Sequence, residues 1–121
     1  MIHVVNINNH DETPNDYFIG RGSNLGNIYT SIKDRKTKAL YTCNSREESV
    51  SLYEIYLLEQ IEAKHKHICD TLNEIYLKAL KEDVYLVCYC HPKLCHGEVI
   101  KKIIENKILI KVLKDTKNEE S

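Results

Sequence analysis

The alternation of hydrophobic and polar positions at the start of the chain predicts two strands joined by a turn. Residues 3–7 (HVVNI) alternate apolar and polar side chains and are rich in β-branched residues, as is typical of a half-buried strand. Residues 8–16 contain Pro14 and several Asn and Asp residues, which favour turns. The apolar run over residues 17–19 then predicts a short second strand that ends at Gly20.

Apolar residues in the middle of the chain recur at helical spacing and predict two helices. Ser45-Arg46-Glu47-Glu48 has the form of a capping box, with Ser45 as N-cap and Glu48 at N3. A helix over 46–62 and a second over 68–81 follow from the spacing of Val50, Tyr53, Leu57 and Ile61, and of Ile68, Leu72, Ile75 and Ala79. Residues 28–43 have no clear period, so we expect a loop with a short strand near Leu40-Tyr41.

The last third of the chain predicts a buried strand, a helix and another strand. Residues 84–88 (VYLVC) form a continuous apolar run, as expected for a central strand. Apolar residues over 99–104 predict a helix at 96–106, and residues 108–113 (ILIKVL) a last strand. A strand, helix and strand in succession make a βαβ unit with parallel strands. We therefore expect an α/β fold, a compact three-layer sandwich with a mostly parallel, Rossmann-like sheet, in which the helices over 46–81 cover the other face.

Length and composition predict one globular domain. The chain has 121 residues, of which 42% are hydrophobic and 29% charged, which is ordinary for a globular protein. A chain of this size buries somewhat over 60% of its surface, roughly, on folding, so its core needs no metal or disulfide. We expect a single α/β domain over residues 1–113 and a charged, flexible tail over 114–121.

Net charge and hydropathy argue against nucleic acids and membranes as partners of this protein. The net charge is −1 and no basic stretch dominates, so a nucleic-acid partner is not expected. The sequence has no run of eighteen apolar residues and no signal peptide at its start, which predicts a cytoplasmic protein without a membrane partner. In a reducing compartment the five cysteines are then free thiols or metal ligands.

The cysteine-rich segment over residues 88–98 (CYCHPKLCHGE) is the strongest candidate for a functional site. It runs from the end of the central strand to the start of a helix, where ligands bind in open α/β sheets. The helix N-terminus favours anions and should lower the pKa of Cys95, whereas burial should raise the pKa of Cys88. We take Cys95, His96 and Glu98 as catalytic candidates, and Cys90 and His91 as ligand contacts.

Two other interpretations of this segment stay open. Cys88, Cys90, Cys95 and His96 could bind zinc through three thiolates and an imidazole, although the C-x-C-x4-C-H spacing differs from paired C-x2-C knuckles. Alternatively, small buried thiols simply line a packed sheet, which suits Cys88 best. Cys43 and Cys69 are isolated, and we take both as structural.

A glycine-rich loop over residues 20–27 (GRGSNLGN) is the second candidate. Glycines let the backbone turn sharply and approach a ligand closely, and Arg21 offers a fork of donors for phosphate or carboxylate. The loop matches neither the Walker A pattern nor the dinucleotide fingerprint, and the plainer alternative is an irregular polar turn. The candidate ligand-binding residues are Gly20, Arg21, Gly22, Ser23, Asn24, Gly26 and Asn27.

The two motifs together resemble a known family. The glycine loop followed by a capped helix and then by C-x-C-x-P-x-x-C-H-G-E resembles the domain of unknown function 4326 family, over residues 2 to about 104. That family is common in bacteriophages and bacteria, so a phage-encoded member would act in the host cytoplasm. Tyr89 stands where the family usually carries Trp, and Ile28 where it usually carries Pro. The resemblance supports the site but implies no particular reaction.

We expect from these features an enzyme that acts on a small phosphorylated compound of the nucleotide or nucleoside class, by hydrolysis or group transfer. Arg21 and the loop amides would bind the anionic part of the ligand. The alternatives are a non-catalytic module that sequesters a nucleotide and a zinc-stabilised interaction domain. Zinc is the one cofactor considered, and the oligomeric state does not follow from the sequence.

Overall fold

The computed structural model describes residues 1–30 and 41–119, and the side chains of residues 30, 42 and 112–119 lie outside this description. Along the chain the elements are β1 (Ile2–Asn6), a 3-10 turn (Ile7–Asn9), β2 (Asp16–Phe18), β3 (Tyr29–Thr30), β4 (Tyr41–Thr42), α1 (Arg46–Glu62), α2 (Lys66–Ala79), β5 (Val84–Cys88) and α3 (Gly97–Glu119). None of the helices in the described part of the chain is long and apolar enough to cross a membrane.

A three-stranded parallel sheet forms the centre of the molecule. Its strand order is β1-β5-β2, and in the register Val4 and Tyr17 both lie opposite Leu86. The apolar run of β5 is explained by its place between two neighbours, where four of its five side chains are buried. The predicted α/β class with a parallel sheet is confirmed. A separate two-stranded ladder joins β3 and β4.

In the described part of the chain, α2 and α3 pack on one face of this sheet, and α1 packs against both of them and against β3. The Tyr17 hydroxyl donates to Glu74 of α2 at 3.3 Å, and a Cβ added to Gly97 at the start of α3 would lie 2.9 Å from Val4. Because Val4 and Tyr17 share one sheet face with Leu86, α2 and α3 share that face too. Tyr53 of α1 belongs to the same apolar core. The sequence had placed the first two helices on the face opposite the third.

Over residues 1–30 and 41–119, the opposite sheet face is covered by aromatic and imidazole rings and by no helix. His3 stacks on Tyr85 with ring centroids 5.1 Å apart, and His10, from the segment between β1 and β2, contacts the same ring at 4.8 Å. Farther along, Phe18 meets Tyr89 edge to face at 5.8 Å. The helix-covered face is therefore the one that builds the hydrophobic core.

The predicted last strand over 108–113 is wrong, and with it the βαβ unit over 84–113. α3 continues unbroken from Gly97 to Glu119, so it also includes residues 114–119 of the predicted tail. Ile104 is buried and Ile108 packs against the core one turn later, while Leu109 and Ile110 are exposed. A short apolar run fits a helix and a strand equally well by periodicity, and here the helix continues. The strands parallel to β5 are β1 and β2 instead.

The other element boundaries agree with the sequence within a few residues. α1 has the predicted bounds, and the Ser45 hydroxyl accepts a hydrogen bond from the Glu48 amide at 3.0 Å. α2 begins two residues before the predicted start, where His65 is the N-cap. In the stretch predicted as loop, β3 and β4 form a ladder, and β4 begins at Tyr41, which belongs to the predicted short strand. Leu40 itself lies outside the described residues.

Candidate functional site

Three segments meet at the carboxyl end of β5: the turn that follows Cys88, the glycine loop after β2, and the start of α1. Asn6, the last residue of β1, donates through Nδ2 to the carbonyl oxygens of Tyr89 at 3.2 Å and His91 at 2.9 Å. The turn closes where the Lys93 amide donates to the Cys90 carbonyl at 2.8 Å. The end of β1 thus positions the cysteine segment.

The glycine loop folds upon itself. The Ser23 amide and hydroxyl both donate to the Gly20 carbonyl, at 3.1 Å and 2.6 Å, and the Gly26 amide donates to the Ser23 carbonyl at 3.1 Å. Gly22 has a φ of 96°, in the left-handed region that favours glycine. The Ser23 hydroxyl is therefore used within the loop, while the exposed Asn24 donates to Thr71 of α2.

Asn27 is buried and ties the loop to α1. Its Nδ2 donates to the Ser49 hydroxyl at 2.9 Å, and its Oδ1 accepts from the Tyr29 amide at 2.9 Å. The Ser49 hydroxyl in turn donates to the Tyr29 carbonyl at 3.1 Å. Asn27 thus holds the loop against the helix, and Ser49 joins a polar cluster that sequence reasoning did not find.

The guanidinium group of Arg21 has one N–H donor without a partner among the described residues. Its Nη2 donates to the Tyr29 carbonyl at 2.7 Å. Its Nε is buried and has no hydrogen-bond partner within the described chain. Leaving a buried charged donor unsatisfied is costly, so such groups normally meet a ligand, an ion or water. Arg21 therefore presents an unused N–H group beside the cysteine segment.

Arg46 reaches the same place from the start of α1. Its Nη1 donates to the Leu94 carbonyl at 3.3 Å, and its guanidinium also lies near the Cys90 thiol and favours the charged form of that group. Sequence reasoning missed Arg46, although a signal existed, because a cation in the first turn of a helix opposes the helix dipole. A basic residue there is better explained by a negative neighbour.

Cys90 is the thiol best placed to ionise. A hydrogen bond from the Cys95 thiol, together with the Arg46 guanidinium and the charge of Arg21, lowers the pKa of Cys90 to about 5 against the opposing effect of burial. Its side chain is half-buried, so solvent and small solutes reach it. The site therefore favours the thiolate form of Cys90, with the guanidinium groups of Arg46 and Arg21 nearby.

Cys88 competes with Cys90 for the same hydrogen bond. Donation from Cys95, with help from the amides of His91 and Cys90, lowers the pKa of Cys88 to about 6, although burial and the nearby Cys90 oppose this. This direction is the opposite of the rise predicted for Cys88, and it holds only while Cys95 donates to Cys88. Cys95 has one S–H group and can donate to one thiolate at a time. We assign the charge to Cys90, which alone has both guanidinium groups beside it.

The pKa of Cys95 is raised, so the predicted direction for this residue is also wrong. Its thiol faces the sulfur atoms of Cys88 and Cys90, and its side chain is only 2% exposed. Both neighbours and burial favour the neutral thiol, and they outweigh the Gly97 amide, which donates to the sulfur at 3.4 Å. The helix start does contact Cys95, but the neighbouring sulfurs decide its protonation.

His96 is a buried, neutral imidazole. Its Nε2 lies 2.6 Å from the Ile19 carbonyl oxygen, its Nδ1 3.5 Å from the Cys95 sulfur, and the Tyr53 ring packs against it edge to face. Burial lowers the pKa of His96 to about 4. Nε2 therefore carries the proton and donates to Ile19, which leaves Nδ1 as an acceptor that competes with the neighbouring thiolate for the Cys95 S–H group.

Two other predicted site residues, Glu98 and His91, do not contact the Cys90 sulfur. Glu98 is exposed on α3, where it lines a shallow groove with Lys101, Lys102, Glu105 and Asn106. His91 is partly exposed, and its backbone amide lies near enough to Cys88 to favour the charged form of that thiol. The structure thus brings together Cys88, Cys90, Cys95, His96 and Arg21, and adds Arg46.

Comparison with known proteins places this geometry in a family. The model of a domain of unknown function, number 4326, matches residues 2–106, which is most of the chain. The chain belongs to the domain of unknown function 4326 family. In this family member the match includes both the glycine loop and the cysteine segment, whereas the last residues of α3 lie beyond it. Neither the curated proteins nor the solved structures contain a match to the chain.

The alternative zinc set of this family member is only partly assembled. Cys95 faces Cys88 and Cys90, but Nε2 of His96 is engaged with the Ile19 carbonyl. Over residues 1–30 and 41–119, no group of three or more His, Cys, Asp or Glu side chains is arranged to hold a metal ion. The donors as they stand fit a hydrogen-bonded thiol cluster, in which each sulfur has a polar neighbour.

Proposed function

We propose that this member of the domain 4326 family is a hydrolase or transferase in which the Cys90 thiolate attacks a small phosphorylated compound of the nucleotide class. The observation that carries the proposal is the convergence of Arg21 and Arg46 on Cys90. A depressed thiol pKa next to cationic groups is the usual state of a cysteine nucleophile.

Charge and geometry both favour a phosphate as the ligand. A guanidinium fork matches phosphate oxygens, and Arg21 has an Nε–H with no partner among the described residues. The protein as a whole carries a net charge of −1, so the positive potential is local to this site. An anion that binds here would satisfy Arg21 and offset the cost of burying it.

Two exposed aromatic side chains support a ligand that also has a base. Phe18 ends β2 just before the glycine loop, and Tyr89 begins the turn after β5. They contact each other edge to face, and they are 45% and 63% exposed. Exposed aromatic rings beside a phosphate site are suited to stacking on a nucleobase.

The positions of Cys90, Arg21 and Arg46 support a phosphoryl transfer in two steps. The Cys90 sulfur forms a bond to phosphorus while the bond from phosphorus to the leaving oxygen breaks, and that oxygen takes a proton from water. Water or a second acceptor then receives the phosphoryl group, and the thiolate is restored. Arg21 and Arg46 offset the charge on the phosphoryl oxygens. Cys95 and His96 are positioning residues, because Cys95 donates to the thiolate and His96 lies against Cys95.

Binding tests the two arginines. Arg21→Ala and Arg46→Ala should each weaken the binding of adenosine monophosphate by about tenfold in titration calorimetry, since each removes a charged donor to phosphate. Lys101→Ala is the matched control, because it removes the same charge from the groove that Glu98 lines on α3. Arg21→Ala should cost only about 1 kcal/mol of stability, because the Tyr29 carbonyl keeps the Ser49 hydroxyl. Unchanged affinity in both arginine variants would overturn the proposal.

Turnover tests the role of Cys90. Cys90→Ser should still bind adenosine monophosphate but lose hydrolysis of para-nitrophenyl phosphate, and acid-quenched wild-type protein should carry one phosphoryl group on Cys90 by mass spectrometry. If wild-type protein binds the nucleotide but turns over no phosphate ester, the protein is a sequestering module and not an enzyme. If native mass spectrometry finds zinc bound through the thiols, the protein is a zinc-stabilised interaction domain, and this alternative replaces both the enzyme and the sequestering module.

A further inference from the structure

The sulfur atoms of Cys88, Cys90 and Cys95 form a cluster, and the proposed reaction needs only the Cys90 thiolate and one donor to it. The thiol of Cys95 lies beside both Cys88 and Cys90, and none of these three forms a disulfide in the structure. The phosphoryl transfer needs one thiolate, and a single hydrogen-bond donor would support it. A second and third thiol at the same point call for a separate explanation.

The members of the cluster differ sharply in access to solvent. Cys90 is half-buried on the turn, whereas Cys88 and Cys95 are only 1% and 2% exposed. A dissolved oxidant therefore meets Cys90 first. The turn in which the Lys93 amide donates to the Cys90 carbonyl leads back to Cys95 at the start of α3, and the buried Cys95 thiol is near enough to shift the protonation of Cys90. An accessible thiolate next to a protected second thiol is the arrangement of redox-sensitive cysteine pairs.

We propose that Cys90 and Cys95 are a peroxide-responsive dithiol, in which Cys90 is oxidised and Cys95 closes a disulfide that switches the site off. The proposal goes beyond the proposed function, because it requires no substrate for the site. The ligand class is a hydroperoxide, with hydrogen peroxide as its simplest member.

The chemistry balances in two steps. The Cys90 thiolate attacks one peroxide oxygen, so that an S–O bond forms and the O–O bond breaks; the released hydroxide takes a proton and leaves as water. Cys90 is then a sulfenic acid, and the peroxide has been reduced by two electrons. The Cys95 sulfur next attacks the Cys90 sulfur, the S–O bond breaks, and the oxygen leaves as a second water with the proton of the Cys95 thiol.

Cys95 is the better partner for Cys90 than Cys88. Cys95 faces both other sulfurs, while the Cys88 thiol is directed to the Val5 carbonyl of β1 at 3.5 Å. Cys88 also belongs to the regular part of β5, where its backbone is fixed by pairing with Asn6. The disulfide removes the negative charge that Arg21 and Arg46 face, so it changes the electrostatics of the site as well as its nucleophile.

A peptide map distinguishes the possible bonds. Trypsin cuts after Lys81, Lys93 and Lys101, so Cys88 and Cys90 fall in peptide 82–93 and Cys95 in peptide 94–101. After brief exposure to hydrogen peroxide and alkylation, a non-reducing digest should show these two peptides linked. The link should be lost in Cys90→Ser and Cys95→Ser and kept in Cys88→Ser. Cys43 and Cys69, in the same protein, should remain alkylated and serve as internal controls.

A second experiment detects the oxidation of Cys90 to a sulfenic acid directly, so it does not depend on formation of the disulfide. In Cys95→Ser, Cys90 should accumulate as a sulfenic acid that a cyclic 1,3-dione labels, with circular dichroism unchanged from the wild type. The proposal is overturned if the link survives in Cys95→Ser, if the oxidised bond joins Cys88 to Cys90 within one peptide, or if Cys43 and Cys69 oxidise as fast. Because no substrate takes part, a failure of phosphoryl transfer leaves this result standing, and the reverse also holds.

Discussion

At the scale of single residues, His96 shows how burial changes the role of an ionisable side chain. The sequence places it next to a cysteine at a helix start, which suggested acid–base chemistry. In the folded protein its Nε2 is fixed on the Ile19 carbonyl and its ring lies against Tyr53. The imidazole thus connects the cysteine segment to the glycine loop as a neutral group.

This environment gives a stability that depends on pH. The pKa of His96 is about 4 in the folded state against 6.5 for the unperturbed side chain. Between these two pH values His96 is protonated in the unfolded chain but neutral in the folded protein. The contribution of His96 to the free energy of unfolding is therefore fully present above about pH 6.5 and is lost as the pH falls to 4. The full loss is on the order of 3 kcal/mol. Urea unfolding across this range measures it.

The control for this prediction is a histidine on the surface. His96→Gln should unfold with a flatter pH dependence than the wild type between pH 6.5 and 4, because glutamine does not titrate. His67→Gln changes an exposed histidine of α2 and should leave the dependence as it is. Equal slopes in wild type and His96→Gln would show that His96 titrates normally in the folded protein.

At the scale of secondary-structure elements, the start of α1 serves both the fold and the site. The Ser45 hydroxyl accepts from the Glu48 amide and so satisfies one of the free donors at the helix start. The next residue, Arg46, extends to Leu94 and Cys90 in the cysteine segment. The cap therefore fixes the position from which one of the two guanidinium groups reaches the thiolate.

Removing the cap should weaken the helix by a known amount. Ser45→Ala should lower the free energy of unfolding by about 1 kcal/mol, because the Glu48 amide loses its acceptor. Chemical denaturation measures the change, and Ser51→Ala, at an exposed position in the same helix, is the matched control. A loss for Ser45→Ala no larger than that of the control would mean that the cap adds nothing to stability.

At the scale of the whole molecule, β5 is the element to which the others are attached. It is paired on both sides, by β1 and by β2, and the cysteine segment begins where it ends. Outside the regular ladders, the Ile19 amide still donates to the Val87 carbonyl at 3.0 Å, so the glycine loop leaves the sheet next to β5. The central strand thus aligns both functional loops.

This arrangement predicts the order of hydrogen exchange. The amides of Leu86 and Val87 should be among the slowest to exchange, because they lie in a strand that opens only when its two neighbours detach. The amides of Tyr29 and Tyr41, in the isolated two-stranded ladder, should exchange much faster. Native-state exchange followed by NMR tests both. Equal protection of the two sheets would contradict a single stabilising centre at β5.

The sequence was informative wherever a local pattern had one structural solution. The capping box at Ser45 and the long apolar period of α1 leave no alternative to a helix over 46–62, and the apolar run of β5 fits a central strand. The run over 108–113 had two solutions, and the choice depends on Ile104 and Ile108 packing on the core along one helix face. Such a contact is not visible in a window of six residues.

What the sequence by itself determined is the set of elements near the site and the two segments that form it. The protonation of the cysteines was decided only by the tertiary structure. The sequence gives Cys95 a helix start, which lowers a thiol pKa, but folding adds Cys88 and Cys90 beside it and buries it. Folding likewise brings Arg46 to Cys90, although 44 residues separate them in the chain. A pKa depends on charges and donors within a few ångströms, and residues that are distant in sequence supply them.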